Sequence, residues 1–401
     1  TPIVCVAALL VALVPWLAFS QPFLPWLYRA LVLLVIACPC ALVISTPVTV
    51  VSGLAAAARR GILVKGGVHL ENGRRLRIIA LDKTGTVTEG RPALTDVRPI
   101  GGADPDDALR IAASLDSLSQ HPVAQAIAKA WSGERLAVTN FRSLTGRGVE
   151  GRIGDEPFFV GNHRLVEERR VCSPAVEVAL VEFERQGKTA VVVGSATTVL
   201  AVIAVADKPR ESSVEAVKQL HAMGLRTVML SGDNQTTATS IARAVGIDDA
   251  RGSLLPEDKV SAIDALSARD GDVVGMVGDG VNDAPALAKA TIGFAMGAAG
   301  TDTALETADV ALMQDDLRGV PSFIEISRRT AAILRQNIAL AIGIKAVFFA
   351  LALFGTATMW MAVVADMGTS LLVVANGMRL LRAKAEIVPP VVTSRSIPTA
   401  G

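Results

Sequence analysis

The charged residues of this chain are distributed so unevenly that its two ends cannot share one environment with its middle. The 401 residues include 39 basic and 38 acidic side chains. Only Arg29 lies before position 59, and few charges follow position 337, whereas the middle has the composition of a water-soluble protein. Because about 20 apolar residues can cross a bilayer, four stretches are candidate membrane helices. They are 1–19, 30–58, 338–354 and 359–378.

These stretches predict two pairs of spanning helices. The proline-rich segment 20–29 is expected to join the first pair and 355–358 the second. Basic flanks mark the cytoplasmic side of a membrane protein, so the middle should be cytoplasmic. Buried helices of a soluble protein are the alternative, which this charge asymmetry disfavours. The basic flanking residues on the side of the middle are Arg59, Arg60, Lys65, Arg328, Arg329, Arg335, Arg379, Arg382 and Lys384.

Composition excludes several other classes of protein. A net charge of +1 gives no reason to expect nucleic acid as a partner. Four cysteines are too few for a disulfide framework in a chain of this length. The segment 383–401 contains prolines without periodicity and is expected to be a disordered tail. Since the first residue, Thr1, is not a methionine, the chain is expected to be a piece of a longer protein.

The middle alternates strand and helix signals, which predicts an α/β fold with a parallel sheet. Apolar runs at 78–81, 227–230 and 273–277 each end in a polar turn. Ligands bind beyond the carboxyl ends of such strands, so the three turns should converge. The predicted domains are 1–64 with two membrane helices, 65–97 together with 205–325, an inserted α+β domain at 98–204, and 326–382 with two further membrane helices.

The first of these turns carries a candidate nucleophile. Asp82 opens the sequence DKTGTVT, and a carboxylate at a strand end can attack phosphorus and become an acyl phosphate. The attack joins two anions, so Mg²⁺ and a cation must neutralise the charge. Asp279 and Asp283 in GDGVNDAPAL can hold Mg²⁺, and Lys259 in PEDK can bridge nucleophile and phosphoryl group. Ser231 in SGDN can donate to a phosphoryl oxygen.

The motifs DKTGT, SGDN, PEDK and GDGVNDAPAL, in this order, resemble those of P-type ATPases, which belong to the haloacid-dehalogenase-like superfamily. The resemblance implies a haloacid-dehalogenase-like phosphorylation domain with an inserted nucleotide-binding domain. It implies that ATP phosphorylates Asp82 and that the Thr84 carbonyl and Asp279 hold Mg²⁺. Asp207 and Arg210 in DKPR match the family's hinge pattern. The remaining catalytic candidates, from the matched motifs, are Lys83, Gly232 and Asp233.

Further residues of the insert resemble the adenine-site signature of the heavy-metal subclass. Glycines let a flat base approach the backbone. Asp116 and Gln120 stand where the subclass commonly has glutamates. The candidate nucleotide-binding residues are Asp116, His121, Pro122, Gly146, Gly148, Gly161 and Asn162.

The second apolar stretch contains Cys38-Pro39-Cys40. Residues two apart point to nearly opposite faces of a regular helix, so both thiols can serve one site only where the helix is broken. Pro39 supplies a reason for such a break. Thiolates select soft metals such as Zn²⁺ and Cu⁺. Cys5 and Cys172 have no such setting and are expected to be structural.

Lys345 and Asp366 are the charges inside the last two spans, where charge is costly and is normally paired or functional. They could simply pair with each other. Two thiolates and Asp366 would instead hold a divalent metal, with Lys345 as counter-ion. The order CPC, a lone lysine and then Asp366-Met367-Gly368 resembles the Zn²⁺/Cd²⁺/Pb²⁺ exporters. The Asn-Tyr and Met-x-x-Ser-Ser signatures of the copper pumps do not occur.

The expected function is therefore ATP-driven export of Zn²⁺, Cd²⁺ or Pb²⁺ by a monomeric multi-pass pump of the bacterial plasma membrane. A Cu⁺ pump is the nearest alternative. A membrane-anchored phosphatase is another, although it would carry an acid at the position of Thr84. Intact catalytic motifs disfavour a non-catalytic metal-binding protein. No Thr-Gly-Glu occurs here, so we expect the chain to need an actuator domain from outside it to complete a cycle.

Overall fold

A computed structural model describes residues 2–268, 273–279, 281–297 and 302–382. The predicted disordered tail, 383–401, lies outside these residues. The chain divides into two compact units. One comprises Thr1–Arg75 and Ser322–Gly401, and the other comprises Leu76–Pro321.

The first part of the first unit is mainly helical, as the apolar sequence up to Ala58 predicts. In chain order its elements are α1 (Pro2–Phe19), α2 (Phe23–Ala37), α3 (Cys40–Ala58), β1 (Ile62–Val64) and α4 (Gly67–Gly73).

The second unit contains twelve strands and nine α-helices among its described residues. Its strands are β2 (Leu76–Asp82), β3 (Ala93–Pro99), β4 (Val138–Leu144), β5 (Gly148–Ile153), β6 (Glu156–Gly161), β7 (Thr189–Ser195), β8 (Val199–Ala206), β9 (Arg226–Leu230), β10 (Asp249–Arg251), β11 (Val273–Gly278), β12 (Ile292–Met296) and β13 (Val310–Leu312). Its helices are α5 (Pro105–Asp116), α6 (Pro122–Ala130), α7 (His163–Glu168), α8 (Pro174–Arg185), α9 (Glu211–Ala222), α10 (Gln235–Val245), α11 (Pro256–Ala268), α12 (Ala284–Lys289) and α13 (Asp302–Thr307).

Two long helices are the last elements of the described residues, α14 (Gly319–Leu353) and α15 (Met359–Arg382). Three segments of the described residues are long and apolar enough to cross a membrane, namely Phe23–Ala58, Gly319–Ala352 and Met359–Arg382. They contain the predicted spans 30–58 and 359–378 and all but the last two residues of 338–354. The fourth prediction, 1–19, coincides with α1, whose apolar part Cys5–Phe19 is shorter.

The predicted linker at 20–29 is wrong in extent, because α2 already begins at Phe23. Pro25 suggested a loop, but it lies in the first turn of the helix. The amide groups of a first turn have no partner within the helix, so a missing N–H costs little there.

Small residues and a polar network hold the membrane helices together. A side chain at Gly53 would meet Thr330 Oγ1 at 2.6 Å. Asn337 Nδ2 donates to Thr49 Oγ1 at 3.3 Å and to the Val373 carbonyl at 3.1 Å. Close approach at small residues and satisfied polar side chains are the usual means by which helices associate in lipid. The network fixes α3, α14 and α15 relative to one another.

A parallel sheet forms the centre of the second unit, as predicted. Six of its strands lie in the order β13-β12-β11-β2-β9-β10. Asp82 pairs in register with Leu230, and Leu81 with Val277. Strands that are buried on both faces have continuous apolar sequences. This is why the apolar runs 78–81, 227–230 and 273–277 predict strands. Their carboxyl ends do converge.

The insert forms a separate antiparallel sheet in the order β3-β8-β7-β6-β5-β4. Alternate residues of β8 face two different clusters, so that Ile203 packs with α5 and α6, whereas Val202 packs with α7 and α8. The sheet extends from Ala93 to Ala206, which pair with each other. It therefore reaches beyond the limits of 98 and 204 expected for the insert.

Candidate functional site

Asp82 lies at the carboxyl end of the central strand β2 and is buried, with 6% of its surface exposed. Lys259 reaches it from α11. The Lys259 Nζ lies 2.5 Å from Asp82 Oδ1 and 2.7 Å from Asp283 Oδ1. One ammonium group thus joins the candidate nucleophile to a second carboxylate.

Three carboxylates gather at this point. One oxygen atom from each of Asp82, Asp279 and Asp283 lies within 4.8 Å of the other two. Oxygen ligands in a compact group are what Mg²⁺ prefers, so the donor set fits this ion. Thr84 lies two residues after Asp82 in the loop, with φ −76° and ψ 127° and an exposed side chain.

Burial of these acids and their closeness to one another change their pKa values. Burial, reinforced by the charge of Asp283, raises the pKa of Asp82 to about 7. Burial and Asp283 likewise raise the pKa of Asp279 to about 6. Burial lowers the pKa of Lys259, but Asp82 and Asp283 outweigh it and hold that pKa above its ordinary value. A bound dication would relieve the repulsion between the acids.

Gly85 makes the close approach of Asp279 possible. Its φ is +74°, and a Cβ atom there would lie 1.6 Å from Asp279 Oδ2. Only glycine fits such a position at low cost. Gly85 is not among the residues predicted from the sequence, although its place inside DKTGT is a signal for it.

The loop after Asp82 is held by residues that directly follow β8, the last strand of the insert. Asp207 accepts hydrogen bonds from Thr88 Oγ1 at 2.5 Å and from the Gly90 amide at 3.1 Å. Arg210 donates to the carbonyls of Thr88 at 2.9 Å and Gly85 at 3.0 Å. Asp207 and Arg210 are thus positioning residues for the loop that carries the nucleophile.

Ser231, Gly232 and Asp233 follow β9, the neighbour of β2. The Ser231 hydroxyl is buried and accepts from the Asp233 amide at 3.1 Å. Asp233 Oδ2 accepts from Lys83 Nζ at 2.5 Å. Lys83 is 7% exposed, so it is a buried ion-pair partner rather than a solvated charge.

The insert contains a cavity of about 330 Å³. Six of the seven predicted nucleotide-binding residues line it. The seventh, Pro122, begins α6 directly after His121. The predicted residues that line the cavity are Asp116, His121, Gly146, Gly148, Gly161 and Asn162.

Backbone contacts shape this cavity. A Cβ atom at Gly148 would lie 2.1 Å from the Val160 carbonyl oxygen, so glycine lets β5 lie close to β6. Asn162 Nδ2 donates to the Gly146 carbonyl at 2.9 Å. His121 Nδ1 accepts from the Val123 amide at 3.3 Å and caps α6, which leaves the proton of the neutral ring on Nε2.

Asp116 is the buried acid of the cavity. It is 3% exposed, and its Oδ2 has no hydrogen-bond partner among the described residues. Burial raises the pKa of Asp116 to about 7. An unpartnered buried polar atom is costly, so a ligand that pairs with this carboxyl group would be favoured.

In the membrane helices, Pro39 separates α2 from α3, and Cys38 has the extended conformation common before proline. Both sulfur atoms consequently lie on one side of the break, where Cys38 and Cys40 form a disulfide with a Cα–Cα distance of 5.5 Å. In this form neither sulfur is free to bind a metal. The predicted ligand role requires the reduced cysteines.

Lys345 occupies the same break. Its Nζ lies 3.0 Å from Asp366 Oδ1 and donates to the carbonyls of Ile36, at 3.0 Å, and Cys38. The interruption at Pro39 frees these carbonyls, and Lys345 satisfies them. Lys345 and Asp366 also line a common small cavity of about 10 Å³, whose described lining residues include neither cysteine.

Comparison with known proteins gives consistent results. A family model described as haloacid dehalogenase-like hydrolase matches residues 76–291. A probable cadmium-transporting ATPase of Alkalihalophilus pseudofirmus is 47% identical over 393 residues, which are 96% of this chain and 54% of that protein. A zinc/cadmium/lead-transporting P-type ATPase of Escherichia coli K12 is 44% identical over 390 residues, 96% of this chain and 52% of that protein. The chain thus spans about half the length of the curated relatives it matches.

Solved structures agree with these relatives. The crystal structure of a zinc-transporting PIB-type ATPase in the E2.Pi state matches with a TM-score of 0.80 and 43% identity, over 95% of this chain and 62% of that one. The catalytic CPx-ATPase domain CopB-B matches with a TM-score of 0.53 and 30% identity, over 68% of this chain and 98% of that domain. The chain therefore belongs to the haloacid dehalogenase-like hydrolases, and over almost its whole length it is similar to metal-transporting P-type ATPases.

Proposed function

We propose that this chain forms the catalytic and cargo-binding part of an ATP-driven exporter of a soft divalent metal, with Zn²⁺ as the preferred ion and Cd²⁺ and Pb²⁺ as further cargo. The observation that carries the proposal is the placement of Asp82 at the end of the central strand, joined to Lys259 and clustered with Asp279 and Asp283.

In the proposed reaction, an Asp82 oxygen attacks the γ-phosphorus of ATP. The bond to the β-phosphate oxygen breaks, and ADP leaves. Lys259 neutralises charge as the two anions meet, and Ser231 donates to a phosphoryl oxygen. The Thr84 carbonyl, Asp279 and Asp283 would hold Mg²⁺, which supplies charge neutralisation when bound.

The cavity in the insert is the proposed site of the adenine base. Gly146, Gly148 and Gly161 present backbone rather than side chains, which suits a flat ring. Asp116 offers a buried carboxyl group whose Oδ2 lacks a protein partner. An adenine amino group can donate to that oxygen and remove the cost of leaving it unpaired.

The proposed cargo site combines the reduced Cys38 and Cys40 with Asp366. Zn²⁺ accepts sulfur and oxygen ligands together, whereas Cu⁺ favours soft donors alone. We therefore rank the Cu⁺ pump second. Lys345 already holds Asp366, so we propose that Lys345 competes with the metal for this carboxylate and assists release.

Phosphorylation of Asp82 is proposed to reorient the membrane helices and so open the cargo site to the other side. In this arrangement the second unit is cytoplasmic, the membrane is a bacterial plasma membrane, and the pump is monomeric. Hydrolysis of the aspartyl phosphate would require an actuator domain contributed by residues beyond this chain.

The decisive experiment measures ATPase activity of a full-length pump carrying this chain against a panel of metals under reducing conditions. Stimulation by Zn²⁺, Cd²⁺ or Pb²⁺ that disappears on Cys38→Ala and Cys40→Ala is the expected result. Stimulation by Cu⁺ alone would favour the copper alternative. Metal-independent phosphatase activity would reject transport.

A further inference from the structure

A second group of side chains that could ligate a metal lies in the insert, among residues that neither the proposed phosphoryl site nor the proposed cargo site uses. His163, Cys172 and Glu177 each offer one ligand atom, and these atoms all lie within 4.8 Å of one another. His163 is the first residue of α7, and Glu177 lies in α8. Cys172 lies in the short loop that joins the two helices.

The distances between the ligand atoms are close to those of a zinc site. Cys172 Sγ lies 3.7 Å from His163 Nε2 and 3.6 Å from Glu177 Oε1. His163 Nε2 lies 3.1 Å from Glu177 Oε1. Tetrahedral Zn²⁺ with bonds of about 2.0 to 2.3 Å places nitrogen, sulfur and oxygen ligands about 3.3 to 3.7 Å apart. Small side-chain adjustments would complete the site.

A fourth ligand is within reach. Glu167 Oε1 lies 3.8 Å from His163 Nε2, one helical turn along α7. The side chains of His163, Glu167 and Glu177 are 37%, 61% and 48% exposed. An ion can therefore enter from solvent, and the three ligands of the cluster already face one another.

The framework around the cluster is fixed by capping and burial. Asn162 Oδ1 accepts from the Leu165 amide at 3.1 Å and caps α7. Ser173 Oγ accepts from the Val176 amide at 3.4 Å and caps α8. Leu165 and Val176 are buried in the core beneath. The ligands are thus preorganised, which reduces the entropic cost of binding.

The charge of the cluster favours a dication with affinity for sulfur. Burial and the neighbouring Glu177 and Glu167 raise the pKa of the Cys172 thiol, since a thiolate would meet negative charge. A divalent ion reverses this balance, because it stabilises the thiolate and both carboxylates. Mg²⁺ prefers a set of oxygen ligands, so a mixed nitrogen, sulfur and oxygen set selects the softer Zn²⁺ or Cd²⁺.

We propose that His163, Cys172 and Glu177, with Glu167 as fourth ligand, bind one Zn²⁺ or Cd²⁺ ion on the surface of the insert. The site is distinct from the cargo site in the membrane helices. It adjoins Asn162, which lines the nucleotide cavity. The inference rests on this geometry and not on the transport proposed above.

The test uses the complete 401-residue chain in detergent with Cys38→Ser, Cys40→Ser and Asp366→Asn, so that the cargo site is removed. Excess Mg²⁺ occupies the carboxylate cluster around Asp82, and Cd²⁺ is titrated while its thiolate charge-transfer absorption is recorded. We expect one equivalent to bind. An added Cys172→Ser should abolish the absorption, whereas Cys5→Ser, which removes the other free thiol, should preserve it.

His163→Ala and Glu177→Gln should each weaken Cd²⁺ binding roughly tenfold or more. A titration that is unchanged by Cys172→Ser, or that gives no thiolate absorption, would overturn the proposal. Alkylation provides a readout without changing the cluster. In the chain lacking the cargo ligands, Zn²⁺ should protect Cys172 from iodoacetamide and leave Cys5 reactive. Equal modification of Cys172 with and without Zn²⁺ would also refute the site.

Discussion

Lys345 Nζ lies 3.0 Å from Asp366 Oδ1, and the same ammonium group donates to the Ile36 carbonyl at the break between α2 and α3. One side chain therefore links the carboxylate proposed as a cargo ligand to the helix end beside the cysteines. An ammonium in this position can replace a departing cation at Asp366.

Lys345→Ala should slow cargo release. Without the ammonium, the metal has no competitor for Asp366, and the freed carbonyls lose their donor. In a full-length pump carrying this chain, we expect Zn²⁺-stimulated turnover to fall roughly tenfold, equivalent to about 1.4 kcal/mol. Zinc affinity at equilibrium should rise or stay constant. Lys345→Arg, which keeps the charge, is the matched control, and unchanged turnover in Lys345→Ala would reject the role.

Gly85→Ala should disable phosphorylation by displacing Asp279. The Cβ atom of the new alanine would lie 1.6 Å from Asp279 Oδ2 and would overlap it. A displacement of this size can cost roughly 100-fold in rate. Gly101→Ala is the control, since Gly101 has φ +65° but nothing within 4 Å of an added Cβ. It should cost about 1 kcal/mol of stability and leave phosphorylation intact.

The comparison is made by Mg²⁺-dependent incorporation of the γ-phosphoryl group of ATP. If Gly85→Ala and Gly101→Ala behaved alike, the close contact between Gly85 and Asp279 would have no functional meaning.

Asp116 should make the stability of the second unit depend on pH. Its pKa in the folded state, about 7, lies above the ordinary value of 3.8. Between these values the folded state binds a proton that the unfolded state lacks, so stability falls as the pH rises. The slope can reach about 1.4 kcal/mol per pH unit.

Asp116→Asn should reduce this slope to the part that the raised pKa values of Asp82 and Asp279 contribute, and it should make the variant more stable than the parent at pH 8. Asp107→Asn, at an exposed position of the same helix, should leave the slope in place. Chemical unfolding of the chain at several pH values between 4 and 8 measures both. A slope that is as steep in Asp116→Asn as in the parent would show that Asp116 does not titrate in this range.

Much of the arrangement around Asp82 could be predicted because it follows from parallel-sheet geometry. The apolar runs before Asp82, Ser231 and Asp279 predict buried strands. The carboxyl ends of neighbouring parallel strands lie together at one edge of the sheet. Residue type then assigns the chemistry, since a carboxylate, a hydroxyl group and a Mg²⁺ ligand have distinct roles. The close pairing of Lys259 with two carboxylates is a consequence of α11 lying beside the same strand ends.

Other features depend on contacts that no local pattern reveals. Lys345 and Ile36 are far apart in sequence, so the hydrogen bond across the helix break could not be anticipated. The sequence does not fix the start of α2, because Pro25 is typical of loops and equally compatible with a first helical turn. The sequence predicts only a structural role for Cys172, because the turn that brings it to His163 and Glu177 leaves no signature in its neighbours.

The central claim is that Asp82 carries the phosphoryl group and that the cargo site controls its formation. The most direct measurement is incorporation of label from γ-labelled ATP into a full-length pump carrying this chain, with and without Zn²⁺, followed by identification of the modified residue. The account predicts Zn²⁺-dependent label on Asp82 that is lost in Asp82→Asn and in Cys38→Ala with Cys40→Ala. Label on another residue, or label on Asp82 that is indifferent to both Zn²⁺ and the cysteines, would contradict it.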